Sequence, residues 1–218
     1  QKSKKATTPF GRKLDRFNIY IEGKFAFGAS AYTIFENKLN VGKNLTQEAI
    51  TKIAKKELGA HLIDLAVKYL SFRPRSQKEV EGYLTAKIAK SQNIKFSQAK
   101  ESPHIANVIL VLKKYHYISD LEFSKWWLNA RSRSNPKGLR LIRIELKQKG
   151  VADEIIDEVL SHSQDEIELA NKLLEKKAKN WSKLSKIEMK KKVYQYLASR
   201  GFDYDLIKIA FANLEEKG

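Results

Sequence analysis

Arg140, Arg143 and Lys147 stand at i, i+3 and i+7, a spacing that sets three cations on one face of an α-helix. Leu139, Ile142 and Leu146 repeat it one position earlier. At about 100° per residue, the basic stripe runs beside an apolar one rather than opposite it. Cations that edge a buried face can hold a polyanion, either nucleic-acid phosphates or an acidic protein surface. The flanking sequence has the same bias. From Lys125 to Lys149 there are eight basic residues and one acid, Glu145, and Arg131, Arg133 and Lys137 fall in that run. A second run, Lys176 to Lys192, holds eight lysines and one acid, Glu188, with Lys176, Lys177 and Lys179 at its head. Lysines are compact point charges that suit phosphate contacts without base readout. A single basic residue on a helix is more often a solvated one, and lysine-rich linkers are common, so the weight rests on the clusters.

Other reactive residue types do not assemble. Gly42-Lys43-Asn44 lacks the upstream glycine and the Ser/Thr of a phosphate-binding loop. The four histidines, at 61, 104, 116 and 162, have no metal-ligand spacing. Asp153, Glu154, Asp157 and Glu158 fit a helix N-terminus with a solvated acidic face better than a metal site. Trp126 and Trp127 could stack on bases, but with Phe123 they stand at i, i+3, i+4, which is core spacing. No nucleophile–base pair is visible. The expectation is a binding protein, not an enzyme, with no cofactor and no metal.

These side chains need elements to hold them. Arg16 to Ile21 alternates at Phe17, Ile19 and Ile21, Glu22-Gly23-Lys24 is turn-like, and Phe25-Ala26-Phe27 alternates again, which predicts a β-hairpin. A lone hairpin is marginal, so it should add a strand or pack on a helix. Tyr32 to Leu39 reads as a short helix, and Thr46 opens another. From about His61 the apolar period is helical. The stripes are Val80-Tyr83-Leu84-Ile88, Ile105-Val108-Ile109-Leu112, Met189-Val193-Tyr196-Leu197 and Ile207-Ala210-Phe211-Leu214. Leu146 to Val151 and Leu197 to Phe202 repeat one pattern at an offset of 51: leucine, then a basic residue and glycine, then an apolar residue. Glycine there marks a helix end, and an acid-led helix follows each time. The Val80–Leu84 stripe reads as an earlier copy, stretched at Ala89–Ser102 and with no matching glycine.

The expected fold is therefore mainly α: tandem three-helix repeats in an elongated curved array, with a small N-terminal β-hairpin module. The divisions are a basic tail over 1–15, the hairpin and helix module over 16–60, and repeats over 61–120, 121–163 and 164–218.

Tyr69 to Leu84, YLSFRPRSQKEVEGYL, joins two of these helices. Pro74 ends the first, and Ser76-Gln77-Lys78-Glu79 is a capping box that starts the second. Arg73 and Arg75 have no part in that capping and join the candidate binding residues.

This stretch resembles the signature of the RecX family of recombination regulators. The resemblance continues through Ile118-Ser119-Asp120 with Phe123 and Trp127, Gly138-Leu139-Arg140 with Leu146, Lys149-Gly150-Val151, and Arg200-Gly201-Phe202-Asp203-Tyr204. The Arg16–Ile21 hairpin is similar to the extension of longer members. The resemblance implies a curved array of three-helix repeats that lies along the groove of the RecA–DNA filament and modulates the RecA recombinase, usually as an inhibitor.

Composition bounds the rest. Lys plus Arg is 42 against 25 Asp plus Glu, a net charge of +17, and 42% of residues are hydrophobic. There is no cysteine, and the longest apolar run, Val108 to Leu112, is too short to span a bilayer. A cytoplasmic monomer is expected, with no membrane contact. Its expected partners are the RecA filament and single- or double-stranded DNA. A general DNA- or RNA-binding helical protein is the competing reading, and an enzyme with an unrecognised site is a third.

Overall fold

The structure, a computed structural model, describes residues 6–7, 13–14, 16–134, 136–161, 166–181 and 184–216. Of the basic tail expected over 1–15, only the paired strands β1 (Ala6–Thr7) and β2 (Lys13–Leu14) fall among them. His162 and Lys183 lie outside the described residues. A second hairpin, β3 (Arg16–Ile21) and β4 (Lys24–Ser30), leads into α1 (Ala31–Glu36). Helices then follow without further strands among the described residues: α2 (Gln47–Leu70), α3 (Gln77–Gln92), α4 (Phe96–Lys100), α5 (Pro103–Lys114), α6 (Asp120–Ser134), α7 (Leu139–Gln148), α8 (Asp153–Ser161), α9 (Glu166–Trp181), α10 (Lys186–Ala198) and α11 (Tyr204–Glu216). The protein is mainly helical with a small N-terminal hairpin, as expected. It divides into two units, residues 1–75 with 79–118, and residues 76–78 with 119–218.

In the first unit, Glu22 and Gly23 both have positive φ, 50° and 77°, as a tight two-residue hairpin turn requires. A bulge after Ile19 shifts the register from Ile19↔Phe27 to Tyr20↔Phe25. The hairpin packs on a helix: Phe27 and Ala29 bury against Ile53 of α2. A polar hub fixes the same contact. Glu57 of α2, buried, accepts from Arg16 Nη2 (3.3 Å), Ser30 N (3.2 Å), Ser30 Oγ (3.1 Å) and Thr33 Oγ1. Four donors meet one carboxylate here, which is what a buried charge needs. Thr46 caps α2 by accepting from Ala49 N (3.2 Å). The helix then runs unbroken past Gly59 and through residues 60 and 61. Its lower half, with α3 and α5, buries Leu62, Leu84, Ile88, Val108 and Leu112 in one core. Burying each such side chain contributes roughly 1.5–3 kcal/mol.

The stretched segment 89–102 resolves into a helix end, the short α4 and a new start at Pro103. Asn93 occupies the left-handed region at φ 52°, and Ile94 N donates back to Ala89 O (3.0 Å). Asparagine does here what glycine does elsewhere. His116 does the same after α5: at φ 56° it is followed by Tyr117 N donating to Leu112 O (2.8 Å).

In the second unit, α6, α7 and α8 close on Phe123, Ile142, Leu146, Val151 and Ile156. Helices α9, α10 and α11 close on Leu174, Val193, Leu197, Phe202 and Phe211. Gly150 (φ 79°) and Gly201 (φ 85°) end α7 and α10, and Val151 N and Phe202 N donate back to Leu146 O (3.1 Å) and Leu197 O (3.2 Å). Each left-handed turn is also a seat. Gly138 N donates to Arg200 O (2.9 Å), and a β-carbon on Gly138 would lie 2.4 Å from Gly201 O. Ser76, fully buried, donates from Oγ to Lys149 O (2.8 Å) beside Gly150. Above each seat a carboxylate meets a helix N-terminus: Gln77 N donates to Asp120 (2.8 Å) and Leu139 N to Glu166 (2.7 Å).

Candidate functional site

The stripe on α7 forms as the spacing requires. Ile142 and Leu146 are buried, and Arg140, Arg143 and Lys147 lie along one edge of them. Two of the three cations are engaged by α8: Arg143 Nη2 meets Asp157 at 2.6 Å and Lys147 Nζ meets Asp153 at 2.7 Å. The acidic start of α8 is thus the counter-charge of this edge, and no cluster of metal-ligating residues occurs among the described residues. Both carboxylates are about 60% exposed (62% and 59%). Exposed pairs of this kind hold about 0.2–1 kcal/mol each and weaken with salt. A multivalent anion can displace them. Arg140 is exposed and pairs with no described residue.

Arg131 and Lys137 have a different setting. Glu145, on the far flank of the apolar stripe, accepts from Arg131 Nε (2.8 Å), Trp127 Nε1 (2.8 Å) and Lys137 Nζ. Burial would push this carboxyl up, but the three donated hydrogen bonds win and hold it below the ordinary value. The Arg131 guanidinium lies 4.5 Å from the Trp127 ring centre and Lys149 Nζ 5.4 Å from it. These cations therefore tie α6 to α7. Arg133, two residues further on, is exposed and pairs with no described residue. Trp126 and Trp127 pack on Phe123 and its core, as their spacing predicts.

Arg73 and Arg75 lie in the first unit, apart from the α7 residues in chain and unit. Both have local partners that capping logic does not supply. The Arg73 fork grips Glu79 at 3.0 and 3.2 Å. The Arg75 guanidinium lies 3.5 Å over the Tyr69 ring, and its Nε donates to Tyr69 O (3.1 Å). Tyr69 stacks in turn on Tyr83 at 4.0 Å, 4° from parallel. Glu79 thus serves Arg73, and Ser76 sends its proton to Lys149. A Ser-x-x-Glu box with both reciprocal bonds opens α10, at Ser185–Glu188.

Lys176, Lys177 and Lys179 lie on α9. Lys176 and Lys179, with Lys172 and Glu175, line a shallow groove along that helix. Lys177 turns the other way, with its Nζ 5.7 Å from the centre of the Tyr196 ring. Arg200 shares that ring at 4.4 Å, and Trp181 meets it edge-on at 5.7 Å. Arg200 and Tyr196 were not legible as site residues. The available signal was the repeat itself, in which a basic residue precedes the turn glycine at both 149 and 200.

Comparison with known proteins agrees with this architecture. Residues 164–211 match the third three-helix domain of RecX, residues 119–160 the second three-helix domain, and residues 12–46 the N-terminal domain of regulatory protein RecX. The regulatory protein RecX of Lactobacillus gasseri is 32% identical over 206 residues, covering 94% of this chain and 72% of that protein. That of Bacillus subtilis is also 32% identical over 206 residues, covering 94% and 74%. A crystal structure of RecX from Lactobacillus salivarius aligns with a TM-score of 0.62 at 26% identity, over 73% of this chain and 98% of that one. A further RecX crystal structure shares the fold at a TM-score of 0.65 and 24% identity, over 94% and 98%.

Proposed function

The chain belongs to the RecX family of regulatory proteins, and from that premise we propose that it binds the RecA–DNA filament and restrains RecA recombinase and ATPase activity. The observation that carries the reading is the α7 edge. Arg140 is open, and Arg143 and Lys147 are held only by exposed carboxylates that a polyanion can replace. A net charge of +17 speeds encounter with such a target. On this reading the protein is a non-catalytic, cytoplasmic monomer built of repeats over 61–120, 121–163 and 164–218. No helix among the described residues is long and apolar enough to cross a membrane.

The deciding experiment is RecA's DNA-dependent ATPase, measured as the chain is added below one copy per RecA. Inhibition at substoichiometric amounts supports the proposal. Tight binding to bare DNA with no effect on RecA supports instead a general nucleic-acid-binding protein acting through the same basic surface.

A further inference from the structure

The two three-helix groups of the second unit treat equivalent positions differently. Lys149 and Arg200, 51 residues apart, each precede the left-handed glycine that ends the middle helix. Arg131 and Lys177, 46 apart, hold equivalent places on the first helices, which themselves start 46 apart at Asp120 and Glu166. In the first group these cations gather on Trp127 together with a carboxylate, Glu145. The position 51 residues after Glu145 is Tyr196. Cations gather on this ring too, Arg200 at 4.4 Å and Lys177 at 5.7 Å. No carboxylate of a described residue pairs with either of them.

We infer that Arg200, Lys177 and Tyr196 form an anion site for a phosphate of the nucleic-acid backbone. Arg200 Nε is buried and has no hydrogen-bond partner, and neither Arg200 nor Lys177 makes an ion pair with a described residue. The other N–H groups of the same guanidinium make no hydrogen bond to a described residue either, and they are the donors a ligand can meet. The Tyr196 ring, 4.4 Å below the guanidinium carbon, restricts the group, and its fork of donors suits a pair of phosphate oxygens. In the preceding group the equivalent cation, Arg131, meets an internal anion, Glu145; here Tyr196 stands at that carboxylate's position, and the cations are left with the ring. Phosphate is favoured over a lone carboxylate because the charge continues along α10. Lys192, one turn before Tyr196, is exposed, as are Lys190 and Lys191, and cations so placed serve a backbone with repeated charges. Trp181, edge-on to Tyr196, adds an aromatic surface beside the cations.

The inference deepens the proposed function and rests on it for the DNA itself. Arg200→Gln and Arg200→Lys in the full chain are compared with the parent on a single-stranded oligonucleotide across a salt series. Arg200→Gln should weaken binding alike for all sequences and lower the slope of log K against log salt by about 0.7. Arg200→Lys should restore the slope but only part of the affinity, because the fork is lost. Lys177→Gln gives the same reading should Arg200→Gln not fold. Unchanged affinity and slope in the folded variants would overturn the site, as would a lower melting temperature with an unchanged slope, which marks a purely structural stack. Loss of RecA inhibition with bare-DNA binding intact would reassign the anion to a protein carboxylate and overturn the phosphate assignment. A parent chain that leaves RecA untouched while the slope still falls sinks the RecA reading and leaves this site standing.

Discussion

Replacing Glu145 by glutamine separates the structural from the binding role of its cations. At pH 7 the change removes a charge from three hydrogen bonds in a half-buried setting, and the expected loss of stability is about 1.5–3 kcal/mol. The folded-state pKa of Glu145 lies below its ordinary 4.5, so this stabilisation is complete above the ordinary value and drains away as pH falls through the folded one. Denaturation of parent and variant from pH 7 to pH 3 should show the gap narrowing in acid. A gap of constant size would mean that Glu145 acts by shape alone. The α7 edge has the opposite character. Asp157→Asn releases Arg143 from an exposed pair, so stability should move by less than about 1 kcal/mol. DNA affinity at low salt should rise, and Arg143→Gln should lower it, with the salt slope falling by about 1. Equal affinities for all three proteins would return the edge to the status of a solvated face.

At the scale of elements, the recurring device is the left-handed helix end. Asn93, His116, Gly150 and Gly201 all occupy it, and only two of them are glycine. His116 lacks that residue's conformational freedom, so His116→Gly should stabilise the first unit by about 0.5–1 kcal/mol. Gly201→Ala should do the reverse. Its new β-carbon would stand 2.4 Å from the Leu141 β-carbon at φ 85°, a cost of about 2–4 kcal/mol. Chemical denaturation of the two variants checks both signs. Ser76 is more than a helix cap. It is buried and gives its proton to Lys149 O, so Ser76→Ala removes a hydrogen bond from a buried side chain and should cost about 1–3 kcal/mol. A loss of a few tenths would mean that water fills the gap.

At the scale of the whole molecule, the hydrophobic clusters among the described residues are separate, each built from elements close in sequence. The elongated, curved array expected from the repeats predicts a radius of gyration well above the roughly 17 Å of a compact chain of this length. Small-angle scattering that returned the compact value would count against the array. The same separation leads us to expect that destabilising substitutions in 61–120 and in 164–218 add nearly independently.

The amino-acid sequence alone determined the classes of element and the helix ends marked by Pro74, Gly150 and Gly201. Periodicity at 3.6 marks an apolar face wherever one exists, so the centres of the four stripes, Val80 and Leu84, Ile105 and Leu112, Val193 and Leu197, and Ile207 with Phe211, proved buried in the cores. The alternation around Gly23 likewise gave a hairpin. The RecX motifs, carried by residues spread over most of the chain, identified the family. Tertiary structure alone decided which cations are free. Arg73, Arg131 and Lys137 look as available in sequence as Arg140, but their partners Glu79 and Glu145 reach them only across folded helices. Asn93 was invisible as a helix end because its side chain does not announce a left-handed backbone as glycine does. Arg200 read as one basic residue among many. Its unbonded Nε and its place over Tyr196 exist only when α9 and α10 pack. Local pattern follows from what each residue can do by itself, whereas charge pairing depends on distances that no spacing along the chain contains.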